Sequence, residues 1–235
     1  MRVVDRTPGA LVVVKPAGLA SELTRDPAGD SLVQRLRADG LPDVRLVHRL
    51  DAPACGLVLV ARTPGAAAHY SREIEARRWQ KWYVARVARS FATARGLVGP
   101  HKAYLRTEGR VATVVRSGGK PSFLDVLLAA PAPDDPDTSH VLIRLHTGRF
   151  HQIRAMLAHV GAPLAGDRTY GGPGQWPLYL EHVVLGSHVD TTGAWTVWQG
   201  PPHEDRERWA PELAAAVDTC AATARTTPPP PDAAP

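Results

Sequence analysis

The stretch LVHRLDAPACGLVLVAR, residues 46–62, sets one carboxylate, Asp51, two residues after Arg49 and just before a small-residue turn ending at Gly56. Apolar runs flank it on both sides. Asp and Gly are ordinary turn formers, so by itself the stretch reads as a tight connection. A second stretch, RLHTGRFHQIRAMLAHVGAPLAGDRTYGG (144–172), changes the weighing. There a strand ends at His146, Thr147-Gly148 make a turn, and a helix is expected from near Phe150. Arg149 would stand beside that helix's N-terminus, where anions are favoured, and Arg154 about one turn inside it. His146, His151 and His159 contain no i, i+4 pair and no acidic residue joins them, so no metal site is read here. Neither spacing of a Gly-rich phosphate loop occurs, and no Gly-x-Ser-x-Gly. Asp51 is left as the candidate for a single catalytic carboxylate, with the arginines as its partners.

Length and charge narrow what surrounds these residues. A chain of 235 residues can bury a real core, and 44% apolar with 22% charged residues is ordinary for a globular protein. Cys55 and Cys220 are too few for a disulfide framework or a four-thiolate zinc site. Asp5 follows Met1 too closely for a signal peptide, and no run of apolar residues is long enough to span a membrane. A cytoplasmic location is therefore expected. The net charge of +5 is unevenly spread. Ser71–Arg89 holds six basic and two acidic residues, and Val141–Tyr170 four basic and one acidic. Interleaved with Trp79, Trp82, Tyr83 and Phe150, these two segments read as a surface that meets phosphates and stacks bases.

The elements that must hold Asp51 and the arginines are mixed. LVVVKPAG (11–18) is a strand with a turn, and GDSLVQRLRADG a short helix capped at Asp30 or Ser31 and stopped at Gly40. Strand 56–62 leads to a helix with Thr63 as cap and Pro64 at its first position. QKWYVARVARS reads as an alternating strand, and strand-like runs KAYLRT, VATVVRS, SFLDVLLAA and HVLIRLH follow. Residues 130–139 read as an exposed loop, and Ile153, Leu157 and Val160 as the apolar face of the second site helix. LYLEHVVLGSHVD and TGAWTVWQG look like a closing strand pair, and 226–235 like a disordered Pro-rich tail. One domain over residues 1–210 plus that tail is expected.

Four segments, in order, resemble RNA pseudouridine synthases of the RluA/RsuA type. They are LVVVKPAGLASE, HRLDAPACGLVLVAR, QKWYVARV and TGRFHQIRAMLAHVGAPLAGDRTYG, with a weaker match at LYLEHVVL. Together they cover roughly residues 10–190. The departures are Ala54-Cys55 where the family usually has Thr-Ser, Phe150 where it has Thr or Ser, and Arg62 for a common lysine. The resemblance implies an α+β fold: a mixed, mainly antiparallel sheet with flanking helices. With the catalytic-type strand beginning by Leu11, no room is left ahead of it for an S4-type RNA-binding domain.

It also implies the reaction, isomerisation of uridine to pseudouridine within a ribosomal or transfer RNA stem-loop, by a monomer. No group is donated and nothing is oxidised, so neither cofactor nor metal is expected. The target nucleotide must leave its stack to be reached. Asp51 becomes the catalytic carboxylate, Arg154 the guanidinium that keeps it ionised in a dry pocket, and Tyr83 the ring stacked on the flipped uracil. Arg49, Lys81, Arg149, His151 and Gln152 are expected to bind substrate. Two other classes stand beside this reading. One is an RNA-binding or RNA-folding protein with a vestigial site, which Ala54-Cys55 favours. The other is a different glycosyl-transforming enzyme, for which a second matched carboxylate is missing.

Overall fold

The computed structural model describes residues 2–23, 29–174, 177–201, 206 and 209–229. The chain forms two compact units, Met1–Gln80 with Glu181–Pro201 and Ala221–Pro235, and Lys81–Leu180 with Pro202–Cys220. The sheet is mixed and mainly antiparallel, as the resemblance implies.

In the first unit β1 (Arg2–Arg6), β2 (Ala10–Lys15), β4 (Cys55–Ala61), β10 (Leu180–His188) and β11 (Trp195–Gln199) lie side by side, and β3 (Arg45–Leu46) pairs with β4. All pairings here are antiparallel except β4 with β10. The continuous apolar runs of β2 and β4 correspond to burial on both faces. Helix α1 (Leu32–Ala38) is capped by the Ser31 hydroxyl, which accepts from the Gln34 N–H at 3.1 Å. Helix α2 (Pro64–Glu75) starts where expected, Thr63 accepting from the Ala66 N–H at 3.1 Å. Ala66 and Tyr70 of α2 join Val12, Leu57, Leu59 and Trp198 in one core. Strand β1 is an element that the sequence reading does not anticipate.

In the second unit β5 (Gln80–Val87), β9 (Ser139–Leu145), β8 (Lys120–Pro131), β6 (Gly99–Glu108) and β7 (Val111–Val115) follow one another, each pair antiparallel. The alternation expected of β5 and β9 does not separate a wet from a dry face. Trp82, Tyr83, Val84, His140 and Leu142 are all buried. The 130–139 loop is also less exposed than expected. It closes over the buried Arg86, whose Nε donates to the Thr138 hydroxyl at 2.9 Å and Nη1 to Asp134 at 3.1 Å. The helix expected from near Phe150 begins later: α4 spans Gln152–His159. His151 before it is left-handed, with φ of 52°. Val160, expected on the apolar face, is the exposed C-cap. A further short helix α3 (Phe91–Ala94) precedes β6, and α5 (Pro211–Thr226) lies in a stretch that the sequence reading leaves unassigned. Of the expected Pro-rich tail, 230–235 falls outside the described residues.

Gly56 of β4 stands opposite His182 of β10, with φ of 107°. A Cβ there would sit 2.4 Å from the His182 carbonyl oxygen. Gly56→Ala should therefore destabilise the protein by at least about 2 kcal/mol, since strain and clash add. Gly65→Ala, in α2 with open space at its Cβ, should be neutral or stabilising by up to about 1 kcal/mol. Urea midpoints of the two variants, read side by side, check the contrast.

Candidate active site

In the first unit Asp51 sits in the connection between β3 and β4, at the head of a turn closed by the Ala54 N–H donating to the Asp51 carbonyl at 3.0 Å. Both of its chain neighbours are tied down. Leu50 exchanges two hydrogen bonds with the Ser21 hydroxyl, accepting at 2.6 Å and donating at 3.2 Å. The Ala52 carbonyl accepts from the Gly18 N–H at 2.8 Å and from Lys15 Nζ at 3.1 Å. Lys15 is fully buried at the end of β2. Its ammonium also donates to the carbonyls of Pro16 (2.9 Å) and Leu19 (2.7 Å). Burial lowers its pKa to about 8, against the opposing pull of Cys55 and Asp51, which favour the charged form. Two residues before Leu50, His48 Nε2 accepts from the Leu59 N–H at 2.9 Å, its ring 4.9 Å from that of Trp79. Asp51 itself stays half-exposed between these anchors. Arg49 points elsewhere: it pairs with Glu22 at 2.9 Å on the surface, where such pairs contribute little.

The remaining predicted residues belong to the second unit. Tyr83 lies on β5 opposite Ile143 of β9, 6% exposed. Lys81 is the second residue of the same strand and is half-buried; burial, and then the Arg149 charge, lower its pKa to about 8. The Thr147–Gln152 turn is knit by one side chain. The buried Gln152 Oε1 accepts from the Thr147 hydroxyl (2.8 Å) and the Arg149 N–H (3.0 Å), and its Nε2 donates to the Phe123 carbonyl (3.0 Å). Expected against substrate, Gln152 instead shapes the turn that carries Arg149. His151 stacks on Phe150 with centroids 3.8 Å apart, and its Nδ1 lies 3.0 Å from the Tyr170 hydroxyl. These two contacts hold it in its left-handed conformation.

Arg154, expected as the partner of Asp51, makes an ion pair that the sequence reading does not anticipate. The guanidinium is buried and grips Asp167 with both arms, Nε to Oδ2 at 2.7 Å and Nη2 to Oδ1 at 2.9 Å, over the Tyr170 ring at 5.2 Å. Removing either partner of such a pair strands a buried charge and costs about 3–5 kcal/mol. The basic segments are corrected too. Arg78 pairs with Glu73 and Arg86 with Asp134, while Trp79 and Trp82 are core residues. Part of the charge read as facing phosphates is therefore neutralised inside the protein.

Lys15, Ser21, Asp167 and Tyr170 are the site residues that the sequence reading leaves without a role. All four lie inside the LVVVKPAGLASE and GDRTYG segments, but nothing in the residue types says that a lysine and a serine meet the Asp51 turn. Among the described residues no group of three His, Cys, Asp or Glu stands close enough to hold a metal ion. No helix among them is long and apolar enough to cross a membrane.

The family model for RNA pseudouridylate synthase matches residues 9–159. The chain is 34% identical over 164 residues to the dual-specificity RNA pseudouridine synthase RluA of Escherichia coli (strain K12), covering 69% of this chain and 74% of that one. It is 36% identical over 132 residues to ribosomal large subunit pseudouridine synthase D of Haemophilus influenzae, 56% of this chain and 39% of that one. Among solved structures it is similar to human RNA pseudouridylate synthase domain containing 1, with a TM-score of 0.69 and 25% identity over 97% of this chain and 96% of that one.

Lys15 generates the sharpest expectation for the site. Lys15→Met keeps the stem and removes the donors. Each carbonyl left without a partner costs on the order of 1–3 kcal/mol, so the variant should lose several degrees of melting temperature. Because Asp51 sits in the released turn, pseudouridine formation should fall further than stability does. Thermal unfolding and turnover, measured on one preparation, test both.

Proposed function

The chain belongs to the RNA pseudouridylate synthase family, an isomerase family acting on RNA, and on that premise we propose that Asp51 is its catalytic carboxylate and that its targets are uridines in ribosomal or transfer RNA stem-loops. The reaction breaks the C1′–N1 bond, turns the uracil over and joins C5 to C1′. The proton lost from C5 is balanced by one gained at N1, so atoms and electrons close without a cofactor. The names of the relatives, one of dual specificity and one of the ribosomal large subunit, support structured RNA as the substrate. A cytoplasmic monomer is part of the same proposal.

The observation that carries the reading is the bracketing of Asp51. A half-exposed carboxylate held by anchors at both adjacent residues is positioned at low entropic cost, which is what a single catalytic group needs. We assign Tyr83 the face that stacks on the extruded uracil, Lys81 and Arg149 the flanking phosphates, and His151 a contact to the nucleotide. Arg154 is the guanidinium partner of Asp51, its fork oriented by Asp167, and Arg49 makes a peripheral contact. The binding-only alternative draws on Ala54-Cys55, which lack the usual hydroxyls. The anchors on Leu50 and Ala52 do without those hydroxyls, which supports a working enzyme.

Asp51→Ala deletes one carboxylate and no cation. It should bind RNA as the native chain does, with the same steep loss of affinity on adding salt, and form no pseudouridine. Chemical labelling of pseudouridine in cellular RNA treated with each protein is the measurement, and turnover by the variant would remove Asp51 from the mechanism.

Lys81 is charged below about pH 8 and neutral above it. If it holds a phosphate, affinity should fall as pH rises from 7 to 9, approaching tenfold per pH unit once above 8. Lys81→Arg, charged throughout, should flatten that profile. An unchanged slope in the variant would take Lys81 out of the phosphate contact.

A further inference from the structure

The sheet of the second unit has two unlike faces between β6 and β8. One carries Leu105, Ala112, Leu124 and Val126, all buried. The other presents Lys102, Tyr104 and Arg106 of β6 in alternation, in register with Phe123, Pro121 and Thr113 of the neighbouring strands. Tyr104 is 39% exposed, unusual for so large a ring. The Lys102 ammonium stands 5.8 Å from the Tyr104 centroid and 5.6 Å from that of Phe123. Arg149 reaches the same face, its Nε donating to the Pro121 carbonyl at 3.4 Å beside Tyr104.

Charge on this face is available. Its acidic neighbours Glu108 and Asp125 are engaged by Arg106 and His146, each at 2.7 Å. Gly99–Asp125 contains five basic residues and two acidic ones, a third basic segment beyond the two evident by composition. Unlike Arg78, Arg86 and Arg154, Lys102 points outward. Arg149 also lies near enough to Lys81 to disfavour its charge. A basic track thus leads from Lys81 through Arg149 to the rings.

We propose that this face is a second RNA-binding site, a platform where a single-stranded base flanking the target uridine stacks on Tyr104 while its phosphates pair with Lys102 and Arg149. The proposal rests on the RNA reading above, shares Arg149 with it, and adds Tyr104 and Lys102. Ring faces flanked by cations suit a base with its phosphate, because stacking tolerates any base and the cations track the backbone. An acidic peptide would use the cations and leave the rings idle. Lys102 covers the rings only from solvent, so an incoming base displaces a weak contact.

The test uses a short fluorescent oligouridylate over a salt series, with ultraviolet cross-linking to the same probe. Tyr104→Ala should weaken binding roughly tenfold, and Tyr104→Phe should restore it, since the ring and not the hydroxyl is used. Lys102→Ala should lower the log–log salt slope by about 0.7. Cross-links should fall within residues 102–123. Tyr104 is a surface residue, and unchanged circular dichroism separates lost binding from lost fold. If Tyr104→Ala binds as tightly as the native chain and cross-links map elsewhere, while the native chain still forms pseudouridine in cellular RNA, the platform is refuted and the RNA reading stands. If the native chain neither binds the probe nor forms pseudouridine, both fall together.

Discussion

The buried ammonium of Lys15 holds together two turns that the chain separates by more than thirty residues. Its carbonyl partners are Pro16 and Leu19 on one side and Ala52 on the other. Burying a lysine is costly, and burial accordingly lowers its pKa to about 8. What offsets it is full use of the donors, together with Asp51 close enough to favour the charge. Neighbouring features of the first unit surround this contact. β2 delivers Lys15 beside β4, Gly56 lets β4 approach β10 closely, and Ser21 ties Leu50.

The second unit applies the same device with other groups. Gln152 ties the Thr147–Arg149 turn to Phe123 of β8 through one amide, and Asp167 balances Arg154 in a place where neither could stand alone. Tyr170 connects them to the sheet, its hydroxyl accepting from the Ala112 N–H and facing His151. Polar groups fully satisfied in a low-dielectric interior specify a geometry tightly, because any alternative leaves one of them without a partner. Positioning of reacting groups is a large part of what a protein contributes to catalysis.

Charge carries two separate roles in this chain. Arg78, Arg86 and Arg154 face carboxylates and act within the fold. In the second unit Lys102 is exposed, and Arg149 and Lys81 are half-buried and stand outside these pairs. Counting charges along the sequence merges the two groups, since an arginine that braces a loop and one that meets a phosphate are the same letter.

Local signals in the sequence locate much of the fold. Thr63-Pro64 marks the start of α2, Ser31 that of α1, and the apolar runs place β2, β4 and β8–β11. Four ordered segments carry the family, its reaction and Asp51. What stays hidden is what depends on distant partners. The periods of β5 and β9 suggest one wet face, but burial is set by what packs on each side. The Arg154–Asp167 pair is one such feature: only the folded chain brings Asp167, thirteen residues on, into the Arg154 fork. β1 is too polar to be recognised until β2 pairs with it. Sequence by itself determined which residues are chemically able to act and in what order they come. Tertiary structure decided which charges are neutralised, which rings face solvent and which lysine holds the Asp51 turn, because each is a through-space property of side chains whose separation along the chain carries no record of their separation in space.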